Sequence, residues 1–418
     1  MSDASVRAIR LPQIRTSEFG NGMAKHAFCQ ILEKLQVGSI TLHDGAETLR
    51  FGVPEDASGL QAEVWIHDPV VYREVLLGGA MGSGESYMQG NWSSPDLVAV
   101  IRLFTANMAV LQSMDAGKSW RRRLGLAVAH ALNSNTLRGS RRNISAHYDL
   151  GNEFFELFLD PSMMYSSAVY PNADASLEEA SEHKLELICQ QLQLKPTDHL
   201  VEIGTGWGGM AVYAATHYGC RVTTTTISRE QYEYARQRVA EAGLEEQVTV
   251  LCEDYRDLTG SYDKLVSIEM IEAVGHKYYQ NYFQKCSSLL KPDGLMVIQA
   301  ITMADQRYEK ARDSVDFIKR YIFPGGCLPS VEVISRHLRQ DTDMQMIHLR
   351  DITDDYADTL AQWRHRFFER IEDVRRQGFD KTFERMWEFY LCYCEGGFRE
   401  RVIGTMQLTF AKPGYRFA

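Results

Sequence analysis

The sequence predicts an α/β protein, with a parallel sheet and crossover helices in the larger C-terminal part and a small α+β domain before it. Three observations carry this. From residue 199 onward, apolar runs of strand length alternate with stretches of helical spacing. A glycine-rich turn, Gly204-Thr205-Gly206-Trp207-Gly208-Gly209, stands where the first of those strands runs into a helix. Before about Asn107 the pattern is different, with short runs broken by Gly and Asp and then helical spacing.

In the N-terminal part, residues 37–44, 49–53 and 61–66 read as strands, and 70–77 and 95–110 as helices. Gly78, Gly79, Gly82 and Gly84 predict a sharp turn before 85–92. Charged residues and asparagines between 115 and 143 read as a connecting arm, giving a small domain over 1–110, an arm over 111–144 and a catalytic domain over 145–418. Beyond the arm, 199–203, 221–226, 248–252, 264–268 and 295–300 are strand runs, and 209–217 and 230–242 have helical spacing between them. Aromatic-rich helical stretches at 358–377 and 383–395 close the chain.

The chain has 418 residues, enough for two domains at roughly 150 residues each. With 44% hydrophobic and 24% charged residues it has the composition of a folded globular protein and not of a disordered one. No apolar run reaches the length of a membrane span and residues 1–19 carry no signal-peptide pattern, so the expectation is a cytoplasmic protein. A formal charge of −10 argues against nucleic acid as a partner. A local basic patch remains at Lys118, Arg121, Arg122, Arg123, Arg138, Arg141 and Arg142. It reads either as a solvated face or as a contact for anionic lipid headgroups, each basic residue adding about 1 kcal/mol there. The eight cysteines form no C-x-x-C pair, which fits reduced thiols and neither a disulfide framework nor a zinc site.

Glycines at a strand-to-helix turn let backbone approach a ligand and leave the helix N-terminus facing it. A dinucleotide fold uses a similar turn, so the surroundings decide. Glu202, two residues before Gly204, is placed to meet the amino group of a bound amino acid, and the second strand ends in Thr226-Ile227-Ser228 without the acid that a ribose diol would need. The bland alternative is a glycine turn with no ligand.

The string 202–209 resembles motif I of class I methyltransferases, which implies a Rossmann-like sheet with flanking helices. The wider set is similar to the cyclopropane fatty acid synthases and mycolic acid cyclopropane synthases. It comprises His147-Tyr148-Asp149-Leu150-Gly151-Asn152-Glu153-Phe154-Phe155, Met164-Tyr165-Ser166, Thr226-Ile227-Ser228-Arg229-Glu230-Gln231, Asp254-Tyr255-Arg256-Asp257, the run from Tyr321 to Ser330, and Cys394-Glu395-Gly396-Gly397-Phe398-Arg399. These occur in the family's order across residues 145 to 400, and such collinearity is more specific than any one motif.

The resemblance implies S-adenosylmethionine as cofactor, held around Tyr165, Ser166, Glu202, Gly204, Gly206, Gly208, Thr226, Ser228, Gln231, Tyr255 and Arg256. It implies the cis double bond of a phospholipid's unsaturated acyl chain as substrate, methylated and then closed to a cyclopropane. In the family the closing base is a bicarbonate ion held by a Glu, a His, a Tyr and backbone near a Cys. Glu272 and Tyr356 match the Glu and the Tyr, whereas Ser167 stands at the Cys position and Gln299 at the His. A Gln amide can still donate to an anion. The departures leave open a methyl-branched or methylene product without ring closure.

The remaining candidates have plainer readings. Glu269 reads as a helix-face partner one turn before Glu272, and His276 and His147 as structural histidines. Cys394 occupies a thiol position of the family, although alkene methylation needs no nucleophilic sulfur. Trp363, Phe367, Phe368, Trp387, Phe389 and Tyr390 read as core, with a share in lining an acyl tunnel as the functional reading. A methyltransferase for small soluble substrates and a non-catalytic lipid binder are the competing functions. Acting on phospholipid implies a peripheral protein at the inner membrane face, and a homodimer would place two docking faces on one membrane.

Overall fold

The computed structural model describes residues 18–54, 57–108 and 150–416. Its described residues fall into two compact units, each with its own sheet.

In the first unit, strands β1 (Ser39–Asp44), β2 (Glu47–Gly52), β3 (Gln61–Ile66) and β4 (Trp92–Ser93) form a sheet in the order β2-β1-β3-β4. Leu42 faces Leu49 across the antiparallel β1–β2 pair and Val64 across the parallel β1–β3 pair. Ile40, Leu42, Ala62 and Val64 point inward at alternate positions, as a half-buried sheet requires. The helix Leu97–Ala106 is N-capped by Asp96, which accepts from the Ala99 N–H at 2.9 Å. Beyond its other end, the buried Asn107 amide accepts from the Gln36 and Val37 N–H groups and donates to the Val37 and Leu103 carbonyls, so its whole hydrogen-bonding capacity is used.

The glycine-rich stretch does hold a sharp turn, at Gly79 (φ 58°, ψ −142°), and helix resumes directly after it: two helical segments within Val70–Met88 meet at that kink, the second running through Gly82 and Gly84. Glycine is needed where the chain folds back: a Cβ on Gly82 would lie 2.1 Å from the Glu74 carbonyl oxygen. The same unit takes in residues 363–402, which the sequence reading placed in the catalytic domain. Its helix Lys381–Arg399 packs on Leu97–Ala106 and Val70–Met88, with the Tyr87 hydroxyl donating to Glu388 at 2.6 Å.

The second unit holds a seven-stranded sheet in the order β10-β11-β9-β8-β5-β6-β7. Its strands are β5 (His199–Ile203), β6 (Arg221–Thr225), β7 (Val248–Leu251), β8 (Tyr262–Ile268), β9 (Leu290–Met303), β10 (Gln345–Asp351) and β11 (Ile403–Ala411). β5 to β9 are parallel, and β11 enters antiparallel between β9 and β10. Side chains alternate between two apolar layers. Val201, Leu265 and Met296 pack under the helices Tyr279–Leu289 and Val331–Asp341, while Leu200, Val266 and Val297 pack under Leu177–Leu192. Ser176 and Glu179 close a capping box at the start of that last helix.

From β5 the chain moves outward one way through β6 and β7 and the other way through β8 and β9. The carboxyl ends of β5 and β8 are thus a topological switch point, where open α/β sheets bind ligands. β10 and β11 escaped the sequence reading. In β11, Thr405, Gln407 and Thr409 are as buried as Leu408 and Phe410, so no polar face marks the strand.

Gly84 is pressed by aromatic rings: an added Cβ would lie 2.7 Å from Phe317 and 2.9 Å from Phe389. Gly84→Ala should therefore destabilise the protein by about 1–3 kcal/mol through overpacking, measured by denaturant unfolding.

Candidate active site

The loop after β5 has the backbone that its sequence suggests. Gly204, Gly206 and Gly208 all adopt positive φ (101°, 52° and 85°). The Gly204 and Thr205 N–H groups both donate to the Thr225 carbonyl at 3.1 Å, folding the loop over the end of β6. The next helix starts at Gly209, where a Cβ would lie 2.7 Å from the Ser162 carbonyl oxygen and 2.8 Å from the Met164 sulfur. The segment carrying Tyr165 and Ser166 is thereby brought against the loop, with the Tyr165 ring 5.2 Å from that of Phe155 and 6.4 Å from that of Phe323.

Glu202 is buried at the end of β5, and its Oε2 accepts from the Thr224 hydroxyl at 2.6 Å. Burial pushes its carboxyl up to about 8, against the hydrogen bond from Thr224 and the charge of Lys184. Lys184 is itself fully buried, donates to the Ser166 hydroxyl at 2.8 Å, and is pulled down to about 8 by desolvation. A second group lies past β6: the Thr226 hydroxyl donates to the Gln231 side chain, and Ser228 caps the helix Arg229–Glu241 through the Gln231 N–H. Arg256 forks onto Asp254 at 2.8 and 2.6 Å, and the Tyr255 ring lies edge-on to Tyr282.

At the carboxyl end of β8 the polar residues converge on Glu269. Its Oε1 accepts from the Ser167 N–H at 2.9 Å and from the Gln299 amide at 2.8 Å, and its Oε2 accepts from the Tyr356 hydroxyl at 2.8 Å. The second Gln299 amide hydrogen goes to the Ser167 carbonyl, and Gln299 Oε1 accepts from Gln407, which accepts in turn from Gln191. The backbone carbonyl of Ser167 needs a donor, so this chain of amides fixes which way Gln299 points. Burial raises the Glu269 carboxyl, while Gln299, Ser167, Tyr356 and the charge of Lys184 oppose the rise.

This differs from the expected arrangement in two ways. Glu269 is not on a helix face: it follows β8 with φ at 48°, before the short helix Ile271–Val274, and its side chain is the hub of the cluster. Glu272 makes none of the hub's hydrogen bonds. Its Oε1 accepts from the Ile301 N–H at 2.5 Å, and its buried Oε2 has no partner among the described residues. Burial and the neighbouring Glu269 charge push Glu272 up to about 8.

A bicarbonate ion does not fit among these donors. Both Gln299 amide hydrogens, the Ser167 N–H and the Tyr356 hydroxyl hydrogen are used, the Ser167 hydroxyl donates to the Ala168 carbonyl, and a second anion would face the Glu269 carboxylate.

Among the described residues, the other candidates make none of these hydrogen bonds. Cys394 is in the first unit, half-buried on Lys381–Arg399; burial and the charge of Asp316 push its thiol up, the reverse of what a reactive thiolate needs. His276 is pushed down by desolvation and the charges of Arg312 and Lys277, which favours the neutral ring. Trp363, Phe367, Trp387, Phe389 and Tyr390 are buried, while Phe368 is 38% exposed. His147 and the basic residues from Lys118 to Arg142 lie outside the described residues. Sequence reasoning missed Lys184, Gln407 and Gln191; the two acids three apart after an apolar strand were the available signal for Glu269.

Residues 135–408 match the family model described as mycolic acid cyclopropane synthetase. The chain is 37% identical over 359 residues to the tuberculostearic acid methyltransferase UfaA1 of Mycobacterium tuberculosis, covering 84% of this chain and 83% of that one. It is also 37% identical over 356 residues to the cyclopropane-fatty-acyl-phospholipid synthase of Escherichia coli K12, covering 84% and 88%. Among solved structures, the cyclopropane synthase MmaA2 of M. tuberculosis superposes with a TM-score of 0.61 at 29% identity, covering 65% of this chain and 98% of that one. The mycolic acid cyclopropane synthase CmaA1 complexed with SAH and CTAB gives 0.60 at 30%, with the same coverage.

The Glu272 carboxyl titrates in the folded protein well above its unfolded value of about 4.3. Its stabilising share is present below the unfolded value and is lost as pH rises toward 8. Glu272→Gln, which cannot titrate, should lose less stability than the wild type between pH 5 and pH 8 in urea unfolding; parallel pH curves would show that Glu272 ionises normally.

Proposed function

The chain belongs to the mycolic acid cyclopropane synthetase family, and from that premise we propose that it adds one carbon to the cis double bond of unsaturated acyl chains in phospholipids and closes a cyclopropane ring. It is an S-adenosylmethionine-dependent methyltransferase that transfers a one-carbon unit to lipid acyl chains. Phospholipid as the carrier and ring closure as the outcome are the proposal. One observation carries the reading: a glycine loop and a buried carboxylate that suit an ammonium-bearing cofactor end on the same sheet edge as a second, desolvated cluster of acids.

The residues fit the cofactor. Glu202 offers a carboxylate that is costly to ionise until a cation arrives, so it discriminates for an amino group. The glycine loop lets backbone N–H groups and the following helix start approach the amino acid part, and Tyr165 and the Thr226–Ser228–Gln231 group border the same loop and the end of β6. When bound, S-adenosylmethionine supplies an electrophilic methyl group on sulfur, the partner that alkene π electrons need. In the glycine loop itself Trp207 is buried, 2% exposed, fixed by a 2.7 Å hydrogen bond to Asn152 and packed on the Phe155 ring, so this part of the cofactor site is apolar. Exclusion of water protects a carbocation on the acyl chain from hydration.

A second reading, a methyl-branched or methylene chain without ring closure, is favoured by the likeness to a tuberculostearic acid methyltransferase and by Ser167 and Gln299. Among the described residues no helix is long and apolar enough to cross a membrane. Reaching the acyl chains of a bilayer therefore falls to docking at the surface, for which the basic segment 118–142 is the candidate.

Incubation with labelled S-adenosylmethionine and vesicles of monounsaturated phospholipid should move label into fatty acids one CH₂ heavier. Mass does not separate the ring from a methylene chain, so NMR of the product decides: cyclopropane protons support ring closure, and olefinic protons sink it in favour of the second reading. Transfer to a soluble amine or phenol with none to lipid would remove both. Glu202→Gln should weaken S-adenosylhomocysteine binding about 10- to 100-fold in calorimetry, the loss of a charged hydrogen bond of about 1.5–3 kcal/mol.

A further inference from the structure

We propose that the Glu269 carboxylate is itself the anion and the base of this active site, built into the chain in place of a diffusible bicarbonate ion. The inference rests on the alkene alkylation proposed above. Three donors from separate segments, the Ser167 N–H, the Gln299 amide and the Tyr356 hydroxyl, all end on one side chain. They are the groups that the sequence assigned to an exogenous anion, and they are spent.

Backbone geometry supports a functional reason for this residue. Glu269 is a non-glycine residue at φ 48°, a conformation that costs an L-residue of this kind roughly 1–2 kcal/mol and that persists only where surrounding structure enforces it. Here the Glu269 N–H donates to the Gln299 carbonyl at 2.7 Å, so backbone and side chain are held by the same partner residue. The position is also correct for chemistry. The side chain of Met270, the next residue, would lie 3.3 Å from a Cβ on Gly204, so the hub abuts the glycine loop at the switch point.

The charges around the hub divide the work. Lys184 favours the ionised form of Glu269, and the Gln299, Ser167 and Tyr356 hydrogen bonds do the same, while burial keeps it more basic than a carboxylate in water. Burial and the Glu269 charge both push the Glu272 carboxyl up, which disfavours a second negative charge beside the hub.

The electrons balance with no further reagent. As the alkene takes the methyl group, a new C–C bond forms, the C–S bond breaks with its pair on sulfur, and the far alkene carbon becomes cationic. Negative charge on Glu269 stabilises that cation. Glu269 then accepts a proton from the new methyl group, and the C–H pair closes onto the cationic carbon as the third side of the ring. The resulting carboxylic acid returns its proton to water before the next turnover.

The full-length protein tests this in two ways. Removing bicarbonate and CO₂ from the buffer should leave wild-type turnover unchanged, and Glu269→Gln should lower kcat about 10²- to 10⁴-fold, the usual share of a general base. Glu269→Gly relieves the strained φ and should fold; its turnover should be low and should rise on adding bicarbonate. Independently of activity, ¹³C-bicarbonate NMR titration should show saturable binding to Glu269→Gly and none to the wild type. A wild type that needs bicarbonate or binds it saturably, or a Glu269→Gln variant of full activity, overturns the assignment while leaving lipid methylation in place. A wild type that transfers nothing to lipid overturns the reading of function beneath it.

Discussion

A carboxylate taken out of water must be given hydrogen bonds, and those accepted by Glu269 join parts of the chain that are far apart in sequence. Ser167 comes from the segment after Tyr165, Gln299 from β9 and Tyr356 from the helix Thr353–Glu369. Leaving any one of these unmade would strand a buried polar group, at a cost of about 1–3 kcal/mol. The amide chain through Gln407 and Gln191 extends the same constraint to β11 and the helix Leu177–Leu192. Two of the polar residues inside β11 are therefore explained by what they hold: Gln407 bonds Gln299, and the Thr409 hydroxyl donates to Gln191.

The same low dielectric sets the protonation of the neighbours. Two acids, Glu202 and Glu272, are pushed up to about 8, and Lys184 is pulled down to about 8. Lys184 favours charge on Glu202 and Glu269, whereas Glu269 disfavours it on Glu272. Burial raises all three acids, and Glu269 is the one whose rise three side-chain and backbone donors oppose. Acids perturbed together in one place are a mark of a functional site.

Sheet topology brings the two acid groups together. β5 and β8 are neighbours although two strands separate them in sequence, so the loop after β5 and the turn after β8 open on the same edge. The glycine loop and the hub therefore face one edge of the sheet, and a negative charge on Glu269 is opposite in sign to the cation that the proposed alkene alkylation develops.

By itself the sequence determined the parallel core of the sheet, the glycine loop and the family, because apolar runs, β-branched strands and glycines at a strand end are local and periodic signals. It also named Ser167, Gln299 and Tyr356 as members of one site. It marked the chain reversal within Gly78 to Gly84 but not that helix resumes directly after Gly79, and it missed β11, whose buried threonines and glutamine erase the alternation. Only the tertiary structure decided what the polar residues bind. Which of two acids three apart, Glu269 or Glu272, receives three donors depends on a backbone φ of 48° and on strands paired across the sheet. No local pattern records either, because a hydrogen bond between distant segments is fixed by their packing and not by their neighbours in the chain.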